Sequence, residues 1–148
     1  LTGQVEGDSS AKVRIRRLPV TTEMRRTYGD LDDATEDGAY GLAIWLVPLL
    51  SDYKCYSRSN KGTGFDYWLI DKWATHSPED ELNFITESDA RMEVSGIRKG
   101  SRAQLNSRVK QKKDQLSLSD LGGKPGYVFV VEYSSVEIRW ERKAVPPQ

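Results

Sequence analysis

Two acidic side chains stand where acids are costly to place. Asp66 interrupts the apolar run from Phe65 to Ile70, "FDYWLI", and Glu93 interrupts the strand-like "ARMEVSGI" from Ala90 to Ile97. A carboxylate in such a setting keeps its charge only if it is solvated, paired or bound to a cation. Strand alternation puts Asp66 on one face with Trp68 and Ile70, opposite Phe65, Tyr67 and Leu69, and puts Glu93 beside Arg91 and Ser95. If the two strands are neighbours, the acids face one pocket and repel each other. A shared proton or a hard divalent ion reconciles them, and Mg²⁺ prefers carboxylate, carbonyl and water oxygens. A third acid, Glu36, falls in the first turn of a helix and can reach the same pocket from that side.

The elements that must position these groups follow from patterning. Lys12 to Val20, "KVRIRRLPV", puts Val13 and Ile15 on one face and breaks at Pro19, which predicts a short edge strand. From Asp30 the pattern turns helical, with Asp32 or Asp33 as cap and an apolar series through Tyr40, Ala43, Ile44 and Val47. Gly38 and Gly41 permit close packing on a sheet, and Pro48 predicts a kink or an early end. "DYKCYSRS", a turn over Asn60, Lys61, Gly62 and Gly64, and "FDYWLID" make a hairpin. The stretch through Ser77-Pro78 to Glu81 reads as a capped turn, and "ARMEVSGI" as a third strand. Ser101 to Leu116 is a helix with Leu105, Val109 and Leu116 on one stripe. A Gly122-Gly123 break and Pro125 precede "YVFVVEY", a strand buried on both faces, and "SVEIRWE" adds one more. The fold class is α/β, with a mixed central sheet flanked by helices, and the helix between the third and fourth strands lets that pair run parallel.

At 148 residues the chain is read as a single domain, 1–148, with a core of about 12–143 and loose ends at 1–11 and 144–148. Its 37% hydrophobic and 30% charged content suits a globular protein, and no apolar run approaches the roughly 20 residues that span a bilayer. The one cysteine, Cys55, excludes an internal disulfide and a Cys-rich zinc site, and fits a reducing, cytoplasmic setting as a buried strand residue. Twenty-two basic and 22 acidic residues cancel, so net charge gives no general argument for nucleic acid. Their distribution is uneven: Arg98 to Lys113 carries seven basic residues and no acid, a face that can meet phosphate. No triad is built around His76, no Cys/His metal spacing exists, and "KGTG" lacks the context of a phosphate loop.

The order helix, hairpin, strand, helix, strand, with Asp66 on the second hairpin strand and Glu93 on the third strand, resembles the PD-(D/E)XK nuclease superfamily over about residues 34–133. The resemblance implies a restriction-endonuclease-like core with an extra N-terminal strand. It implies Mg²⁺, with Mn²⁺ as a substitute, held by Glu36, Asp66, Glu93 and the main-chain carbonyl of Val94. The motif lysine, two residues after Glu93, is Ser95 here. Some members supply it from the following helix, where Arg108, Lys112 and Gln115 share one stripe; Lys112 is then the replacement, with Lys110 and Lys113 turned away. In that reading Asp66, Glu93, Lys112 and Gln115 form the catalytic set. Arg98, Lys99, Arg102 and Arg108 hold the backbone of a nucleic acid, DNA ahead of RNA, in a defence or mobile-element setting. The rival is an inactive relative acting as a protein-binding or assembly subunit, with a homo-oligomer or a partner protein; a third reading is an unrelated α/β binding protein. The plainer roles are a sheet aspartate satisfied by Lys61, Arg91 or a turn amide, a Glu93–lysine cross-strand pair, a helix-dipole partner in Glu36, and solvated Lys112 and Gln115.

Overall fold

The computed structural model describes residues 2–8, 10–16, 19–75, 89–119 and 123–143. Among them the chain runs β1 (Thr2–Gly7), β2 (Ala11–Arg14), α1 (Thr22–Thr27), α2 (Leu31–Leu50), β3 (Tyr53–Arg58), β4 (Tyr67–Asp71), β5 (Ala90–Ile97), α3 (Arg102–Leu118), β6 (Gly126–Glu132) and β7 (Glu137–Arg142). The strands form one mixed sheet in the order β2-β1-β7-β6-β5-β4-β3. Neighbours are antiparallel except β1 with β7 and β5 with β6, the last joined through α3 as a crossover. The turn expected at Ser77 to Glu81, and His76, lie outside the described residues.

Period-two alternation sorts the side chains of β6 to the two faces. Phe129 and Val131 join Met92, Val94 and the small residues Ala39 and Ala43 of α2 in one core layer, while Val128 and Val130 meet Leu105, Val109 and Leu116 of α3 in the other. Each face of the central strands is thus covered by one helix, which is why β6 is buried almost throughout.

Several elements differ from expectation for local reasons. β1 lies within the end expected to be loose, yet it pairs with β7 in parallel over Gln4 to Gly7 and is anchored by fully buried Val5. Gly3 packs so tightly that an added Cβ would lie 2.7 Å from a methyl of Val136. A strand with one apolar anchor leaves almost no periodic signal. The cap of α2 is Asp30, which accepts from the amides of Asp32 (2.8 Å) and Asp33 (3.2 Å). The buried stripe of α2 is Ala39, Ala43, Leu46 and Val47, with Ile44 46% exposed, because the alanines let the helix axis close on the sheet. Gly38 fits this packing, lying against the Tyr133 hydroxyl, whereas nothing approaches Gly41. Pro48 sits inside the last turn without ending the helix, which closes by Ser51 N–H donating to Val47 O (3.0 Å).

The loop into α3 is fixed by one buried acid. Glu132, 1% exposed at the end of β6, accepts from Gly100 N (2.9 Å), Ser134 N (3.0 Å), Ser135 N (2.7 Å) and both serine hydroxyls (2.5 Å each). Burial works to raise its pKa, but these donors outweigh burial and hold the carboxyl down at about 2. A depressed folded pKa stabilises the fold above the ordinary carboxylate value of 4.5, and that contribution fades as pH falls toward 2. Glu132→Ala leaves several buried donors unmatched and is expected to cost about 2–4 kcal/mol in urea unfolding at pH 7, with the difference from wild type shrinking through that acid window.

Candidate functional site

The site forms where the sheet splits. The amide of Asp66 donates to Met92 O (2.9 Å), the last main-chain rung between this strand and β5. Beyond it β5 continues alone on that edge, so the N–H groups of Val94 and Gly96 have no strand to meet. Side chains take the strand's place. Asp66 Oδ2 accepts from Val94 N (2.8 Å), and Glu36 Oε2, from the first turns of α2, accepts from Gly96 N (3.1 Å). Gly96 is required here, since an added Cβ would sit 2.5 Å from Thr35 O. In an extended strand a residue's N–H and C=O point to the same side, so the Val94 carbonyl faces the gap that Asp66 occupies.

Asp66 lies in the bend before β4 rather than in the regular strand. Phe65 therefore does not take the face opposite Trp68. The two rings pack edge-to-face at 4.6 Å in the α3 layer, and the Asp66 carboxylate turns into the gap, where Oδ1 also accepts from the Tyr40 hydroxyl of α2 (3.3 Å). Burial first, then the charges of Asp66 and Glu36, push the Tyr40 phenol up to about 12, so it stays a donor.

On the α3 face, β5 and the helix run in matching steps. Two strand residues advance about 6.6 Å and four helical residues about 6 Å, so Ser95, Glu93 and Arg91 meet residues 108, 112 and 116 in turn. Arg108 donates to the Ser95 hydroxyl (3.0 Å), Lys112 Nζ to Glu93 Oε1 (2.5 Å) and Arg91 to the carbonyls of Leu116 (3.4 Å) and Ser119 at the end of α3. That guanidinium sits where the helix dipole favours a cation. Lys112 also donates to Gln115 Oε1 (3.3 Å). Lys113, on another arc, pairs with Glu141 (2.7 Å).

Glu93 is 2% exposed, and its second oxygen, Oε2, is buried with no hydrogen-bond partner. Burial raises its carboxyl first, the Lys112 hydrogen bond opposes this, and the nearby Asp66 charge raises it again, to about 7. Asp66, Glu93 and Gln115 line one cavity of about 430 Å³ together with Arg58 at the end of β3 and Ser59, Asn60, Lys61, Gly62 and Gly64 of the turn that follows.

No protein-family model, curated protein or solved structure matches this chain.

The structure thus brings Asp66, Glu93, Lys112 and Gln115 together, with Val94 on the same edge. Glu36 stands beside them but turns its carboxylate to Gly96 N–H and the Ser95 hydroxyl (3.2 Å). Among the described residues no three Asp, Glu, His or Cys side chains converge as a metal-holding group. Of the four expected phosphate contacts, Arg102 pairs with Glu6 of β1 (2.5 Å), Arg108 holds Ser95, and Arg98 and Lys99 are exposed in the β5–α3 turn. None of the four lines the cavity; Arg58 and Lys61 do. Sequence reasoning placed Arg58 on the first hairpin strand and Lys61 in the turn, as a plain partner for Asp66, and gave neither a phosphate contact. The available signal was their place on either side of "SN" in the connection that leads straight into Asp66.

Proposed function

We propose that this chain is a divalent-cation-dependent phosphodiesterase acting on nucleic acid, built on a restriction-endonuclease-like core. The observation that carries the reading is the pairing of Asp66 with Glu93 against one cavity, with a Glu93 oxygen buried and unmatched. The order α2, β3, β4, β5, α3, β6, with β5 and β6 parallel, supports the fold assignment. The donor set fits Mg²⁺, which takes one or two carboxylates and fills its remaining positions with water and substrate phosphate. Asp66, Glu93 and the Val94 carbonyl would hold it. When bound, such an ion polarises a phosphoryl oxygen and lowers the pKa of its water.

The chain's own groups do the rest. Tyr40 and the Val94 amide fix both oxygens of Asp66. Lys112 balances part of the charge of Glu93 and is the cation nearest the acids on α3, placed to stabilise negative charge developing on a phosphoryl group. Gln115 restrains Lys112 and reaches the cavity.

One observation favours the second reading, an inactive relative serving in assembly: Lys112 is committed to Glu93 at 2.5 Å, and Glu36 and Asp66 already serve β5 as main-chain acceptors. Thermal unfolding with added Mg²⁺ or Mn²⁺ separates the two. An ion that binds only the folded chain stabilises it by about 2.7 kcal/mol at a hundred times its Kd. The phosphodiesterase reading predicts a rise in Tm that EDTA reverses and that Glu93→Gln removes. An unchanged Tm across millimolar metal supports the assembly subunit.

A further inference from the structure

The cavity is bipolar. Its lining holds the acids Asp66 and Glu93 and, from the end of β3 and the turn after it, the cations Arg58 and Lys61. Neither cation has a carboxylate partner among the described residues, unlike Lys72, Arg102, Lys112, Lys113 and Arg139, each of which does. Arg58 instead makes a cation–π contact: its guanidinium carbon lies 4.9 Å from the centre of the Tyr40 ring, the same residue whose hydroxyl holds Asp66. A contact of this kind uses none of the guanidinium's N–H donors, which remain for an anion.

The turn that carries Lys61 is well braced. Thr63 donates from its amide (3.3 Å) and its hydroxyl (3.0 Å) to Asn60 O, and the Ser59 and Thr63 hydroxyls touch. Gly64, at φ +82°, lies close against Ser119 beyond α3, where a side chain would meet Ser119 Cβ at 3.3 Å. Lys61 is thus carried by a hydrogen-bonded turn that borders the cavity.

We infer that Arg58 and Lys61 are the phosphate-positioning residues of this site, gripping the sugar-phosphate backbone of a single-stranded nucleic acid so that one phosphodiester settles over Asp66 and Glu93. The inference deepens the phosphodiesterase reading and rests on it for the identity of the substrate. The acids line a recess the size of a small-ligand pocket and Glu93 is almost fully buried, so a strand must bend to reach them, which an unpaired strand does far more readily than a duplex. The basic run that follows β5 does not do this work, since none of Arg98, Lys99, Arg102 and Arg108 lines the recess.

The test compares wild type with Arg58→Ala, Lys61→Ala, the double variant and Arg58→Lys. Binding of a fluorescein-labelled oligothymidylate of about twelve nucleotides is followed by anisotropy across a salt series, beside a duplex of equal length and Mg²⁺-dependent cleavage of the same strands. Each alanine is expected to weaken binding of the single strand roughly fivefold and to flatten the slope of log Kd against log salt by about 0.7, with cleavage lost in KM more than in kcat. Arg58→Lys should restore the salt slope, but not the full affinity, because an ammonium lacks the planar fork of donors. Unchanged affinity and slope in the double variant, or duplex bound more tightly than single strand by wild type, would overturn the assignment. Binding that depends on Arg58 and Lys61 in a chain that cleaves nothing would uphold it and sink the hydrolytic reading alone.

Discussion

Asp66→Asn is expected to lower Mg²⁺-dependent kcat/KM for phosphodiester cleavage by at least about 1000-fold, equivalent to roughly 4 kcal/mol of transition-state stabilisation, while leaving the fold nearly intact. Asparagine keeps one carbonyl oxygen to accept from Val94 N–H, so β5 retains its edge partner. What it loses is the negative charge that faces Glu93 and would hold the cation. Asp66→Ala removes both and separates the two roles. Val94 N–H is then left without its acceptor, adding about 1–3 kcal/mol of destabilisation to the same catalytic loss. Cleavage that survives either change, measured on plasmid, single-stranded DNA and RNA with urea unfolding in parallel, would defeat the proposed chemistry.

Lys112→Met should have the largest effect on stability of any change in the site. The ammonium lies 2.5 Å from Glu93 Oε1, and Glu93 is almost fully buried, so its removal strands a carboxylate in the interior. Breaking one side of such a pair typically costs 3–5 kcal/mol, about that much being expected here near pH 8. The pH dependence has a definite sign. Burial already raises the Glu93 carboxyl to about 7, and the Lys112 hydrogen bond is the strongest influence pulling it down. Without Lys112 it rises further, Glu93 takes up a proton in the folded chain, and the variant recovers stability as pH falls below that raised value. The double change Glu93→Gln with Lys112→Met removes both charges of this pair and is expected to be more stable at pH 8 than Lys112→Met alone. Denaturant midpoints of the three variants at pH 6 and pH 8 read this directly. A cost for Lys112→Met that does not vary with pH contradicts the account.

Much of the fold was legible in the sequence where the pattern was long. The hairpin, "ARMEVSGI", the α3 stripe and the doubly buried "YVFVVEY" each carry several apolar residues, and each appears as an element where it was read, save that the second hairpin strand begins at Tyr67 rather than Phe65. β1 was not legible, because its place depends on the parallel partner β7, nearly the whole chain away, and on a single buried Val5. Within the site, Lys112 was expected beside Glu93 from the resemblance together with the helical stripe it shares with Arg108 and Gln115, and the two side chains do meet. The role of Glu36 could not be anticipated. Its carboxylate goes to Gly96 N–H only because β4 leaves β5 at Asp66, and the point where two strands part is written in no periodicity. The same departure explains why Arg58 and Lys61, rather than the basic run after β5, border the acids.

The central claim is that Asp66 and Glu93 hold one divalent cation between them. Calorimetric titration of the metal-free chain with Mn²⁺ at neutral pH tests this most directly, run on wild type, Asp66→Asn and Glu93→Gln. One ion per chain is predicted for wild type, with affinity at least about tenfold weaker in each variant, since each removes one of the ion's two anionic ligands. No heat of binding in wild type, or a site that tolerates both substitutions unchanged, would contradict it.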